Sequence, residues 1–206
     1  VYSQIPIPSG GRLEKSDEDL MRECQETGSM QSLDILWQRY ASRLLSFICR
    51  QIRDYSQAES LTQETFYKVY RNSSQYKYPR KFSNWIFSIA RNLCTDELRK
   101  RRPVIQEEFE WMADSVQSSQ ENPLELLIQE EDLQRLQEAI QKLSPLLRET
   151  LELRIFQKFS YAEISQIIGG KESTIRSRMK YALEKLSELL KDPSSTSSNP
   201  SSLSDL

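Results

Sequence analysis

The 206-residue chain has no histidine and only 5 glycines, and its 3 cysteines, Cys24, Cys49 and Cys94, lie far apart. Without histidine there is no Ser-His-Asp triad, no imidazole general base and no His-ligated metal site, so neither a metal nor a cofactor is expected. An all-carboxylate hydrolase is the enzyme class left, and most glutamates fall on helix faces expected to be solvated. The shortage of glycine argues against a strand-rich fold full of tight turns. An odd cysteine count without C-x-x-C spacing fits free thiols in a reducing cytoplasm. The longest apolar runs are a few residues, so no membrane span is expected. Residues 1–11 lack a basic stretch followed by an apolar one, so no signal peptide is expected.

What is present is charge in blocks. The net charge is only -2, yet residues 33–102 hold 14 basic and 6 acidic side chains, and residues 135–191 hold 11 and 7. Between them, residues 103–134 hold 9 acidic side chains and no basic one. Two cationic modules separated by an acidic strip point to polyanion partners for the modules and not for the strip. Hydrophobic residues at 37% and charged residues at 28% describe a folded, polar chain.

Helical periodicity runs through most of the sequence. An acidic helix over 17–27 follows Ser16 as N-cap. Leu33, Leu36, Trp37, Tyr40, Leu44, Phe47 and Ile48 make one apolar stripe. The run Ser56-Gln57-Ala58-Glu59 reads as a capping box opening the next helix, with Leu61, Thr65 and Val69 inward. A polar, aromatic loop at 72–82 follows. Ser83 then reads as the cap of a helix that buries Trp85, Ile86, Ile89, Ala90 and Leu93 and ends in Arg99-Lys100-Arg101-Arg102 before Pro103. The expected organisation is all-α: an N-terminal extension (1–15), a helical domain (16–102), an acidic flexible linker (103–122) with a local turn at 109–112, a second helical domain (123–191) and a disordered Ser/Pro-rich tail (192–206).

The second domain carries the sharpest motif. Ser160-Tyr161-Ala162-Glu163 is a capping box, a short helix runs to Ile168, and Gly169-Gly170 turns into a longer helix. That order is a helix-turn-helix. Ile175, Met179, Ala182, Leu186 and Leu190 form the buried stripe of the last helix, which leaves Ser173, Arg176, Ser177 and Lys180 on the opposite face, flanked by Arg178 and Tyr181. Arginine reads guanine bidentately, and serine or lysine contacts bases and phosphates. A helical hairpin with a solvated basic face is the alternative.

On these motifs the chain resembles bacterial sigma-70 superfamily sigma factors of the small, two-domain extracytoplasmic function (ECF) type, across roughly residues 16–190 apart from the linker. The stretch from Ala58 to Phe66 looks like the family's polymerase-clamp region. The run from Ser83 to Asn92, followed by Asp96-Glu97-Leu98-Arg99, looks like its −10 promoter region. Leu143-Ser144-Pro145 through Leu153-Arg154, Ser160 to Ile164 and Ser173 to Arg178 look like its −35 reader. Two departures stand out: Ser60 where the family commonly has aspartate, and Gly170-Lys171-Glu172 where it often has a nearby proline.

The resemblance implies a non-enzymatic factor that binds core RNA polymerase through its clamp helices and flap, recognises promoter DNA, melts it and starts transcription. Glu59, Ser60, Gln63, Glu64 and Tyr67 would contact the core. Tyr76, Lys77, Tyr78, Arg80, Lys81, Asn84, Arg91, Asn92 and Arg99 would hold the −10 element, where stacking returns roughly 1–3 kcal/mol per base against the cost of unstacking. Ser173, Arg176, Ser177, Arg178, Lys180 and Tyr181 would read the −35 element. The linker of about 20 residues reaches about 66–72 Å when extended. A spacer of roughly sixteen base pairs is about 54 Å, so the two modules are expected to stand apart on one duplex. Competing readings are a helix-turn-helix regulator that binds its operator without polymerase, and a sigma mimic that titrates an anti-sigma factor. An anti-sigma partner is common in the family, though no residue identifies one.

Overall fold

The computed structural model describes residues 15–101 and 130–191, and among these it holds eight α-helices and no strand. The expected linker, its turn at 109–112, residues 1–14 of the extension and the tail lie outside the described residues.

The first module is built from α1 (Asp17–Thr27), α2 (Met30–Ile52), α3 (Tyr55–Arg71), a short 3-10 turn (Ser73–Gln75) and α4 (Phe82–Arg101). Ser16 caps α1, accepting the Asp19 N–H at 3.1 Å, and three acidic residues in the first turn face the positive end of the helix dipole. Gly28 ends the helix at φ 67°, a left-handed conformation that costs glycine little. The apolar stripe of α2 buries Leu36, Tyr40, Leu44, Phe47 and Ile48 as its spacing predicts, while Trp37 lies at the rim against Phe66.

Two expected caps are corrected. Helix α3 starts earlier than Ser56, because Asp54 accepts the Gln57 N–H at 3.0 Å and takes the cap. Helix α4 is not opened by Ser83. Its first residue, Phe82, donates its N–H to Glu18 of α1 at 3.0 Å, a tertiary cap invisible to local pattern. Within α4, Ile86, Phe87, Ala90 and Leu93 are buried, with Trp85 and Ile89 partly so.

The second module comprises α5 (Glu130–Lys142), α6 (Pro145–Leu151) running into a π turn (Glu152–Phe156), α7 (Tyr161–Ile168) and α8 (Glu172–Lys191). Ala139, Ile140, Leu143, Leu151, Met179, Ala182 and Leu186 form its own core. The capping box of α7 is as expected: the Ser160 hydroxyl accepts the Glu163 N–H at 3.2 Å, and the Ser160 N–H reaches back to Glu163 at 2.8 Å.

The modules do not stand apart. Leu153, Phe159, Ile164, Ile167 and Ile175 of the second module join the same buried cluster as Leu44, Phe47 and Phe87 of the first. Phe87 meets Phe159 edge-on with ring centroids 5.0 Å apart. Patterning predicts apolar faces but not their partner, and here α4 and α7 bury theirs against each other.

Candidate nucleic-acid interface

The loop between α3 and α4 is held from beneath. The Gln25 amide donates to the carbonyls of Ser73 at 2.6 Å and Tyr76 at 2.9 Å. Tyr76 is buried among Phe82 and Trp85, and its hydroxyl donates to the Arg80 carbonyl. Burial pushes its phenol well above the usual range. Tyr76 therefore serves as the loop's anchor in this arrangement, while Lys77, Tyr78, Arg80 and Lys81 face solvent. The Arg22 guanidinium lies 4.8 Å from the centre of the Tyr78 ring.

Along α4 the sequence-assigned residues divide. Asn92 and Arg99 are exposed, and Arg99 sits 3.4 Å from Asp96. Asn84 is 6% exposed and donates to Gln166 of α7 at 2.8 Å. Arg91 donates to Glu149 of α6 at 3.0 Å, and Lys81 reaches Glu163 at 2.6 Å.

Helix α3 presents one continuous outer face. Ser60, Gln63, Glu64 and Tyr67 follow three- and four-residue steps, and all four are exposed, as is Glu59. The Tyr67 hydroxyl accepts from Arg71 at 3.0 Å, and Glu64 lies 3.6 Å from Lys68.

On α8, Ser173, Arg176, Lys180 and Tyr181 are exposed, with Ser177 partly so. Arg176 is bound to Glu172 at 2.6 Å and lies over the Tyr161 ring at 4.8 Å. Arg154 lies 4.7 Å from the centre of the same ring, so Tyr161 meets two guanidinium groups, one of them from α8. Arg178 differs. It is half-buried towards Glu149 and Arg91, and burial lowers its pKa while Glu149 opposes the shift.

Three carboxylates of the second module shape the contact electrostatically; of these the sequence singles out only Glu163, and only as a capping residue. Burial pushes the Glu152 carboxyl up to about 7, against the pull of Arg50 at 3.4 Å. Burial also raises Glu149, opposed by Arg91. Glu163 goes the other way: partial burial disfavours its charge, but Lys81 and the two hydrogen bonds from Ser160 bring it down to about 2. One signal was available in the sequence. Glu149 of α6 and Glu152 of the π turn sit among buried apolar positions, and buried carboxylates need partners.

Among the described residues, no group of three or more His, Cys, Asp or Glu is placed to hold a metal, and no helix is long and apolar enough to cross a membrane.

Comparison with known proteins agrees with this layout. The Sigma-70 region 2 family matches residues 36–104, and the Sigma-70 region 4 family matches residues 133–186. The RNA polymerase sigma-H factor of Pseudomonas aeruginosa is 29% identical over 184 residues, covering 86% of this chain and 95% of its own. The ECF RNA polymerase sigma factor SigE of Mycolicibacterium smegmatis is 31% identical over 170 residues, covering 82% and 66%. Among solved structures, the sigma factor RpoE in complex with the anti-sigma factor NepR, from Bartonella quintana, matches with 27% identity and a TM-score of 0.61 over 79% of this chain and 98% of that one. CnrH in complex with the cytosolic domain of CnrY matches in fold with a TM-score of 0.64 at 18% identity, over 86% of this chain and 98% of that one. With two family regions in order, a helix-turn-helix at the second and relatives aligned across both, the chain belongs to the sigma-70 family, as an RNA polymerase sigma factor of the ECF type.

Proposed function

We propose that residues 16–102 form the unit that binds the polymerase core and the −10 element, that residues 123–191 form the −35 reader, and that the acidic segment 103–122 tethers them. The chain performs no chemistry itself. It acts in the cytoplasm, reaching the nucleoid through polymerase. Glu59, Ser60, Gln63, Glu64 and Tyr67 on α3 meet the clamp helices, and the second module meets the flap. Lys77, Tyr78, Arg80, Lys81, Asn84, Arg91, Asn92 and Arg99 hold the opened −10 strand over the Tyr76 anchor. Ser173, Arg176, Ser177, Arg178, Lys180 and Tyr181 face the −35 duplex.

The observation that carries this reading is the pair of open polar faces on separate helices. One is the α3 row at Ser60, Gln63, Glu64 and Tyr67, and the other is the start of α8 at Ser173, Arg176 and Lys180. A regulator that works without polymerase has a use for the second face and none for the first. The test is run-off transcription with purified core polymerase. Specific initiation by the wild-type chain, abolished in Arg176→Ala or Tyr78→Ala, supports the assignment, and failure to retain core polymerase in a pull-down removes it.

An anti-sigma factor is a second partner to seek, because the RpoE structure from Bartonella quintana is a complex with one. Co-purification from a native-level, tagged strain tests for it.

A further inference from the structure

On the exposed face of α8 two cations are held differently. Arg176 is fixed twice: its Nε and Nη2 both donate to Glu172 Oε1, at 3.2 and 2.6 Å, and its guanidinium lies 4.8 Å from the centre of the Tyr161 ring. Tyr161 is itself held. It packs against the buried clusters of the chain, and Arg154, which donates to the Phe159 carbonyl at 3.0 Å, lies 4.7 Å from its ring centre. Lys180 lies 3.9 Å from Glu184, beyond hydrogen-bond reach.

A guanidinium has five N–H donors, and Glu172 takes one on Nε and one on Nη2. The donors left, two on Nη1 and one on Nη2, include the end-on fork that matches the N7 and O6 acceptors of guanine. Arg176 keeps 59% of its side chain exposed, so the pair fixes the group without covering it. As an exposed i,i+4 ion pair the contact adds little to stability. Its effect is on how much freedom Arg176 gives up on meeting DNA, and on which acceptor it meets. A phosphate drawn to Arg176 also approaches the Glu172 carboxylate, and like charges repel. A guanine edge carries no such charge.

We propose that Glu172 and Tyr161 are positioning residues for promoter recognition: they hold Arg176 with its fork free for a guanine edge and turn it away from phosphate, and so set the base preference at one −35 position. Specificity then has a repulsive element, Glu172, beside the attractive one. This inference rests on α8 being the −35 reader.

The test uses holoenzyme assembled from the full chain and core polymerase, with duplex promoter DNA randomised across the −35 element and sequencing of the bound fraction. Arg176→Ala identifies the position that Arg176 reads, as the one whose base preference it abolishes. Glu172→Ala should lower the preference at that same position about two- to ten-fold, the cost of ordering one long side chain afresh, and leave the other positions unchanged. Tyr161→Leu should lower it likewise, and Tyr161→Phe, which keeps the ring, should restore what Tyr161→Leu loses. In the Arg176→Ala background, Glu172→Ala should change no preference further.

An unchanged preference at the Arg176 position in Glu172→Ala overturns the inference and leaves the −35 assignment standing. An equal loss at every position overturns it too, because that marks damage to the fold. So does a Glu172→Ala effect that persists without Arg176, because the carboxylate then acts on DNA directly. If Arg176→Ala leaves every preference intact while the holoenzyme still binds, the base-reading role of Arg176 falls, and this inference falls with it.

Discussion

Glu163 joins two structures with one carboxylate: its Oε1 lies 2.6 Å from Lys81 Nζ of the first module, while its Oε2 accepts the Ser160 N–H at 2.8 Å and closes the capping box of α7. A helix start and a module contact thus depend on the same side chain. The two roles separate by mutation. Ser160→Ala should cost about 1 kcal/mol in urea unfolding, the usual value of an N-cap. Glu163→Gln should cost less, because glutamine fills the same capping position and Lys81 is 64% exposed, so that ion pair adds little stability. A larger loss in Glu163→Gln than in Ser160→Ala would contradict this account.

Stability should depend on pH in two opposed windows. Glu152 keeps its proton up to about 7 in the native chain against an ordinary value of 4.5, so the native state binds more protons between those values and stability falls as pH rises through them. Glu149, also raised by burial, acts in the same direction. Glu163, held at about 2, releases its proton more readily in the native state, so its contribution is present above 4.5 and is lost as pH falls from there towards 2. Urea midpoints should therefore be highest near pH 5 and decline towards pH 8. In Glu152→Gln that decline should shrink, by an amount on the order of 3 kcal/mol at most.

Helix α8 makes a salt-dependent prediction. With polymerase present, Lys180→Ala should weaken promoter binding about equally across sequences and lower the salt slope by about 1, if Lys180 contacts phosphate. Arg176→Ala should cost about 1–3 kcal/mol and relax discrimination at one base step, if Arg176 reads guanine. Filter binding over a salt series on matched and mismatched −35 sequences distinguishes the two behaviours.

Thiol chemistry should be slow. Burial raises all three cysteines, Cys94 to about 12, and Cys24 and Cys94 are both buried. Iodoacetamide at neutral pH should label Cys49 first and reach Cys94 only on unfolding. Rapid labelling of Cys94 in the folded chain would reveal an opening motion at α4.

The aromatic contact across the modules should be worth as much as ordinary core. Phe87 is fully buried between Phe47 at 5.4 Å and Phe159 at 5.0 Å. Phe87→Ala should lose about 3–5 kcal/mol in urea unfolding, as for other fully buried aromatic side chains.

Amino-acid order alone determined the helices, most of their apolar stripes (Leu190, expected inside the stripe of α8, is exposed), the capping box at Ser160 and Glu163, the glycine turn before α8 and the outward row from Ser60 to Tyr67. Each depends on interactions within about four residues, or on a repeat of 3.6, and these are local properties of the chain. Tertiary structure decided what those faces meet. Glu18 caps α4 from 64 residues away, Tyr76 turns inward to Phe82 and Trp85, and Lys81, Asn84 and Arg91 find Glu163, Gln166 and Glu149. A cationic face looks the same in sequence whether a nucleic acid or a carboxylate of the same chain will cover it, because charge pattern records the sign of a partner and not its identity. Only packing between α4 and α7, set by the shapes of Phe87, Phe159 and Ile164, chose the partner that is close enough to pair.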